Sequence, residues 1–390
     1  MLENERSMEQ AAQLVIDWAE KGLGVVVVVS AMKGVTDQLI ALSKKIDPAM
    51  EAARMDELLS SGEKTSARLM ASALASRGVR SVVVDPDTPI WPIVTDGKHL
   101  DANPLMELTR DRSQETIVPL LREGKVPVIC GFLGRTMEGR TTTMGRGGSD
   151  TTAVILGSCL DAKEVVLIKD VEGVYTSDPD KVRNPHFIET LNGEEAEMLA
   201  AGGAKFLHVK ALRYQSSGLS IRVTSLEKLN AGTVIKGDLT PVSLEVFPQS
   251  VSMITVVGLD AKRIESVFQL TRAVREDGGS LLALSLEATS AIFYVAGGKN
   301  VLDQIHQVLV SENIGKAVSS FDGLSMMTVR GSSLETETGI VQRVTQPLAR
   351  ANINLFGVVT IRSSIRVFVS SVQAEEALDL IRAAMLVKKP

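Results

Sequence analysis

The run "GVVVVVSAM" at Gly24–Met32 restricts the fold more than any other stretch of this chain. A strand with one face in water alternates apolar and polar residues, and consecutive valines leave no polar side to expose. The run therefore predicts a strand covered on both faces, within an α/β domain whose sheet is largely parallel. The flanking sequence keeps to that plan. Arg6–Lys21 reads as an amphipathic helix, with Ala11, Leu14, Val15, Trp18 and Ala19 on one side. Further strands are expected at "VRSVVVD" (Val79–Asp85), "VPVIC" (Val126–Cys130), "EVVLIKD" (Glu164–Asp170) and "LSIRVTS" (Leu219–Ser225), most of them separated by helical stretches. In such a sheet, ligand loops gather at the carboxyl ends of the strands.

The rhythm changes after about Thr240. "SMITVVGL", a helix from Arg263 to Glu276, "SLLALSLE", "AIFYVAG" and a helix from Asn300 to Val310 give β-α-β-β-α, which "KAVSSF" closes. "SMMTVRGS" (Ser325–Ser332) restarts the pattern. A helix over Gly339–Ala351, "NLFGVVTI", "SIRVFVS" and a helix over Ala374–Leu386 follow. This is an internal repeat of ferredoxin-like βαββαβ units. No last strand of the second unit is legible, which leaves strand sharing or exchange between the units open. The expected divisions are 1–240, 241–323 and 324–390.

Composition narrows the function classes. A chain of 390 residues can hold two or three domains. A net charge of −5 without a basic cluster argues against a nucleic-acid partner. The two cysteines, Cys130 and Cys159, fit a reducing compartment rather than a disulfide framework. No apolar run approaches the ~20 residues of a membrane span, and "MLENERSMEQ" lacks a signal pattern, so a cytoplasmic protein without a membrane partner is expected.

The chemistry concentrates in "GRTTTMGRGGSD" (Gly139–Asp150), between an apolar strand and a helix-like run. Unpaired N–H groups at a helix start favour an anion, glycines let the backbone approach it, and Arg146 adds a planar cation. Further loops are expected at "SAMKGVTD" (Ser30–Asp37), "SSGE" (Ser60–Glu63), "KDVEGVYTSDPDKV" (Lys169–Val182) and "GGAKFLH" (Gly202–His208). They offer hydroxyls, carboxylates and cations without a nucleophile–base pair. His99, His186, His208 and His306 show no metal-ligand spacing and read as structural, so no metal site is expected of the protein's own side chains. There is no GxxxxGK[ST] P-loop. A kinase acting on a carboxylate needs no general base, because that nucleophile is already ionised. It needs positioning, Mg2+, cations and helix ends, and the inventory fits that demand.

These stretches, "TTTMGRGGSD" above all, together with the paired C-terminal repeats, resemble aspartate kinases of the amino-acid kinase superfamily from about Asn4 onward. The resemblance implies a three-layer α/β kinase domain with a mainly parallel sheet, followed by two ACT units of the ferredoxin-like kind. It implies transfer of the ATP γ-phosphoryl to the β-carboxylate of L-aspartate, the first step toward lysine, threonine and methionine. Thr36, Glu63, Arg146, Gly147, Gly148 and Ser149 would surround aspartate, with Arg146 on its α-carboxylate and Glu63 on its ammonium. Asp150, Lys205 and Ser30 would lie along the phosphoryl path. Lys169, Asp170, Tyr175, Asp178, Lys181 and Lys205 would hold the nucleotide, with Mg2+ as the accompanying ion. The ACT units would bind an end-product amino acid, lysine or threonine, around Gly258–Arg263 and Gly331–Gly339, and would join subunits into a homodimer or larger assembly.

The chain departs from the family at three places. Asp180 stands where a basic residue is common, leaving Lys181 as its substitute, and "LHV" replaces "LHP". The family opens on an apolar strand and a "KFGG" loop, whereas here the first helix follows Met1 almost at once. Two readings therefore stand: an aspartate kinase regulated through its ACT units, and a binding or regulatory homologue with the same pockets but impaired catalysis. Glutamate and uridylate kinases share the scaffold, and the tandem repeats favour aspartate.

Overall fold

The computed structural model describes residues 4–229, 231–237, 243–259, 264–331, 334, 339–361 and 364–386. The chain forms two compact units, Met1–Leu239 and Thr240–Pro390.

The first unit opens with α1 (Glu5–Glu20), fixed at its start by a reciprocal capping box between Asn4 and Ser7. β1 (Val27–Val29), α2 (Val35–Ile46), α3 (Ala52–Ala75), β2 (Ser81–Val84), α4 (Met106–Arg122) and β3 (Val126–Cys130) follow. The three strands make a parallel sheet in the order β1-β3-β2, with Val28 opposite Ile129 and Val83 opposite Val128. β1 is shorter than the valine run, and Val25–Val28 are only half-buried. The reason is its edge position: β1 pairs with β3 on one side, while its other side lines a cavity.

A hairpin of β4 (Leu133–Arg135) and β5 (Thr141–Thr143) then leads into α5 (Gly148–Cys159). The threonine triplet expected in the glycine loop is thus a buried strand, as suits β-branched residues in a ladder. The loop proper spans only Met144 to Gly147. Next come β6 (Glu164–Ile168), β7 (Val174–Tyr175), β8 (Phe187–Ile188), β9 (Thr190–Asn192), α6 (Gly193–Ala201), α7 (Val209–Leu212), β10 (Ser220–Thr224) and β11 (Thr233–Lys236). β6 pairs parallel with β10, and β11 joins β10 antiparallel, in the order β6-β10-β11-β9. Helix α5 packs on both β1 and β6. Gly157 permits the close approach to β6, since a Cβ there would lie 2.4 Å from Val165 Cγ2.

A second correction concerns "SSGE". Ser60–Glu63 is no strand-end loop but lies inside the 24-residue helix α3. Gly62 explains its composition, because a Cβ at that position would sit 2.9 Å from Ala31 Cβ. A glycine in mid-helix gives up helix propensity, and here it lets α3 touch the end of β1.

The second unit comprises β12 (Ser243–Val246), β13 (Val251–Val257), α8 (Ile264–Glu276), β14 (Ser280–Glu287), β15 (Ser290–Ala296), α9 (Val301–Ser311), β16 (Ala317–Arg330), α10 (Ile340–Arg350), β17 (Gly357–Ile361), β18 (Ser364–Ser370) and α11 (Ala374–Leu386). Ala317–Phe321 of "KAVSSF" and Ser325–Arg330 of "SMMTVRGS" belong to one continuous strand, β16. Its first part pairs with β13 and its second with β18, with Gly323 at a positive φ of 78° near the changeover. The strand not legible for the second repeat is β12, which precedes the first repeat and pairs with Met327–Arg330 of β16. The repeats therefore share one sheet, in the order β14-β15-β13-β16-β18-β17. Much of the expected ligand loops, 260–263 and 332–338 apart from Leu334, lies outside the described residues.

Phe368 is fully buried in that sheet and stacks on Tyr294, with ring centroids 4.0 Å apart. Tyr294 Oη donates to the Phe356 carbonyl at 2.7 Å. Phe368→Ala is expected to destabilise this unit by about 3–5 kcal/mol. A urea titration followed by circular dichroism checks this, and a midpoint equal to that of the unmodified chain contradicts it.

Candidate active site

One cavity of about 1700 Å³ collects the ends of several elements of the first unit. Ser30 at the end of β1, Thr36 on α2, Glu63 on α3, the turn Gly145–Asp150 and Lys169 beyond β6 all line it. These are the aspartate-side residues expected from sequence, together with Ser30, Asp150 and Lys169.

Glu63 is 3 % exposed, although it carries a carboxylate. Its Oε1 accepts the Ala31 N–H at 3.2 Å, while Oε2 has no hydrogen-bond partner. Burial pushes its carboxyl up from 4.5 to about 7, against the opposing pull of the Ala31 N–H. A buried acceptor with one oxygen aimed at no protein donor is set to meet a donor on a ligand.

The glycine turn is held by close contacts rather than by its own side chains. Gly147 caps α5 with φ 68° and makes no side-chain cap. A Cβ on it would lie 2.1 Å from His208 Cβ. His208 itself caps α7, its Nδ1 accepting the Lys210 N–H at 3.3 Å, which requires the neutral ring. Burial holds its pKa below the usual value, partly offset by Asp150. Gly131 brings the end of β3 against Ser149, where a Cβ would lie 2.8 Å from Ser149 Oγ. Arg146 stands exposed on the turn, directly before the start of α5.

At the far side of the turn, Lys169 Nζ donates to both oxygens of Asp150, at 2.6 and 2.7 Å. The pair is mostly sheltered, and the Lys169 backbone is tied to Thr224 at the end of β10. Sequence reasoning gave these residues separate roles, and their pairing is legible only in the fold.

The other expected nucleotide residues do not line this cavity. Asp170, Asp178, Lys181 and Lys205 are exposed. Tyr175 donates its hydroxyl to Glu172 at 3.0 Å and meets Phe187 edge-on. The Asp180 N–H, then Lys181, with Lys205 adding to them, hold the Asp178 carboxyl below the usual range. Lys205 and the Asp178 turn thus lie near one another. Among the described residues, no group of three His, Cys, Asp or Glu side chains could hold a metal ion.

Sequence reasoning missed the groups that brace the turn. Asp56 accepts from Thr143, His99 and Leu100. Lys210 donates to Asp101, Ala102 and Met144. The only sequence signal was Asp56 seven residues before Glu63, on the same helix face.

Glu63 carries a pH signature. The native state binds its proton more tightly than the unfolded chain, so its contribution to stability is complete below about pH 4.5 and is lost as pH rises through about 7. The amount at stake is on the order of 3 kcal/mol. Glu63→Gln carries no charge to bury, and its thermal stability relative to the unmodified chain is expected to rise between pH 5 and pH 8. Parallel melting curves for the two proteins at both pH values would contradict this.

Comparison with known proteins identifies the family of the chain as a whole. The family model for the amino acid kinase family matches residues 1–225, and that for the ACT domain matches residues 319–383. The aspartokinase of Thermus thermophilus is 30 % identical, over 98 % of this chain and 95 % of its own. That of Geobacillus stearothermophilus is 32 % identical, over 89 % and 86 %. In fold, the chain is similar to the aspartate kinase of Synechocystis, with a TM-score of 0.77 at 22 % identity, covering all of this chain and 68 % of that one. Aspartokinase III of E. coli, solved with aspartate and ADP, gives a TM-score of 0.56 at 22 % identity, over 98 % and 97 %.

Proposed function

We infer the reaction from one premise: the chain belongs to the amino acid kinase family and, within it, to the aspartokinases. It is an ATP-dependent kinase that phosphorylates the β-carboxylate of L-aspartate to give 4-phospho-L-aspartate, the step that opens lysine, threonine and methionine biosynthesis. The relatives lend no support to the catalytically impaired alternative.

The observation that carries the substrate assignment is the buried, unpartnered Oε2 atom of Glu63, a residue that lines the same cavity as Arg146. An α-amino acid supplies the matching pair of charges. Its ammonium meets Glu63, and its α-carboxylate meets the planar fork of Arg146 and the first N–H groups of α5, with Thr36, Gly147, Gly148 and Ser149 around it. The β-carboxylate then points toward Ser30, Asp150 and Lys169. It attacks the phosphoryl without losing a proton, so the residues supply position and charge rather than a base. Lys169 offsets negative charge there, and Asp150 keeps its ammonium in place. Asp170, Tyr175, Asp178, Lys181 and Lys205 form the outer nucleotide lip, with Lys205 reaching toward the phosphates.

The donor set fits Mg2+ brought in on the nucleotide: Asp150, whose oxygens keep lone pairs beyond those that accept from Lys169, would hold the ion beside phosphate and water ligands. The ion supplies charge neutralisation on the phosphates when bound. The unit Thr240–Pro390 binds an end-product amino acid, lysine or threonine, and joins subunits into a homodimer or larger assembly. Support for the ligand comes from the unit's ACT match and from an E. coli aspartokinase III structure containing lysine and aspartate.

The test is ADP release with Mg·ATP and aspartate, glutamate or succinate. Aspartate alone should be turned over efficiently. Succinate lacks the ammonium, and its use at aspartate-like rates would sink the Glu63 assignment. Arg146→Lys is expected to raise the aspartate KM at least tenfold with little effect on the ATP KM, since an ammonium cannot reproduce a bidentate fork. Aspartate KM should also rise as pH falls below about 7, the value to which burial lifts Glu63. The limiting slope is about tenfold per pH unit, because only the ionised carboxylate attracts the ammonium.

A further inference from the structure

Asp56 is a fully buried carboxylate that takes no part in the reaction described above. It lies two turns before Glu63 on α3, so both carboxylates share one face of the helix, roughly 10 Å apart along its axis. Glu63 faces the cavity, whereas Asp56 faces the chain that walls it.

Two segments converge on Asp56, supplying three donor residues. Thr143 Oγ1 of β5 donates to it at 2.6 Å, His99 Nδ1 donates at 2.6 Å, and the Leu100 N–H reaches both oxygens at 3.2 and 3.3 Å. Leu100 adopts φ 65°, a left-handed conformation disfavoured for leucine, so the bond from its N–H holds a strained residue. The same residue presses on the glycine turn: a Cβ on Gly145 would lie 3.2 Å from the Leu100 carbonyl and 3.1 Å from Asp101 Oδ1. Lys210 closes the other side, its Nζ donating to Asp101 Oδ1 at 2.9 Å and to the Met144 carbonyl at 2.8 Å. Met144, the residue before Gly145, is therefore pinned, and Arg146 follows Gly145 directly.

We propose that Asp56 is a positioning residue for substrate recognition: by joining α3, the His99–Leu100 segment and Thr143, it sets the turn that aims Arg146. The proposal rests on the aspartokinase reading, in which Arg146 takes the α-carboxylate. Asp56 touches neither substrate nor nucleotide. Its effect reaches aspartate through Arg146 and leaves the nucleotide lip alone.

The test is Asp56→Asn in the full chain, with Thr143→Val as the milder variant should Asp56→Asn fold poorly. Either change is expected to raise the aspartate KM, at least tenfold for Asp56→Asn and less for Thr143→Val. The ATP KM should stay within about twofold. In an Arg146→Lys background the added effect should shrink to about twofold or less, because the clamp that Asp56 aims is already lost. General loss of folded protein would not produce that split or that coupling. An unchanged aspartate KM, equal shifts in both KM values, or full additivity with Arg146→Lys overturns the proposal.

Amide hydrogen exchange on the same variants keeps the two readings apart. Exchange should quicken in residues 99–102 and 143–147 and stay unchanged in the Glu63 turn of α3. If the unmodified chain turns over no aspartate, the aspartokinase reading fails, and exchange alone decides the role of Asp56. Unchanged exchange in both segments then refutes it.

Discussion

Contact between α3 and the end of β1 organises the catalytic unit. Gly62 removes the side chain that would strike Ala31, and the following residue, Glu63, is thereby carried under the Ala31 N–H. Burying a carboxylate with one oxygen unsatisfied is unfavourable, as its elevated pKa of about 7 records. The fold tolerates that cost at the one place where an ammonium can relieve it. A helix glycine, a strand end and a titratable group thus form a single device, and changing any of them alters the other two.

The glycine turn follows the same logic from the opposite wall. Gly147 has a left-handed backbone and no room for a Cβ beside His208, and Gly145 is pressed by Leu100 and Asp101. Its geometry is set by these neighbours together with the Gly148 N–H bond to the Gly145 carbonyl at 3.0 Å. Preorganisation of this kind holds a cation and helix N–H groups where substrate charge will lie, before the substrate arrives. The Lys169–Asp150 pair completes the cavity with opposite charges already matched, so Lys169 is held at the reacting end rather than free to swing into solvent.

The second unit uses a different economy. β16 serves both repeats, and β12 returns from before the first repeat to finish the second. Two halves that share a strand cannot open independently without breaking its ladder, which ties them into one sheet. Tyr294 and Phe368 stack where the halves meet.

Much of this was determined by the sequence alone. The valine run called for a strand in a parallel sheet, although β1 is a half-buried edge rather than the fully covered strand expected, and β3, β6 and β10 fall within a residue or two of their apolar segments, because periodicity and β-branching are local properties. "GRGGSD" announced a helix start suited to an anion for the same local reason. Tertiary structure alone decided what local pattern cannot carry. It placed Ser60–Glu63 inside a helix, because the reason for Gly62 is a contact 31 residues away in sequence. It turned the threonines of "GRTTTMGRGGSD" into a strand by pairing them with Leu133–Arg135. It gave the second repeat its last strand from β12, and it joined Asp56 to Thr143 across 87 residues. Such partners are chosen by packing and by the need to satisfy buried polar groups, and both are properties of the folded chain rather than of any segment of it.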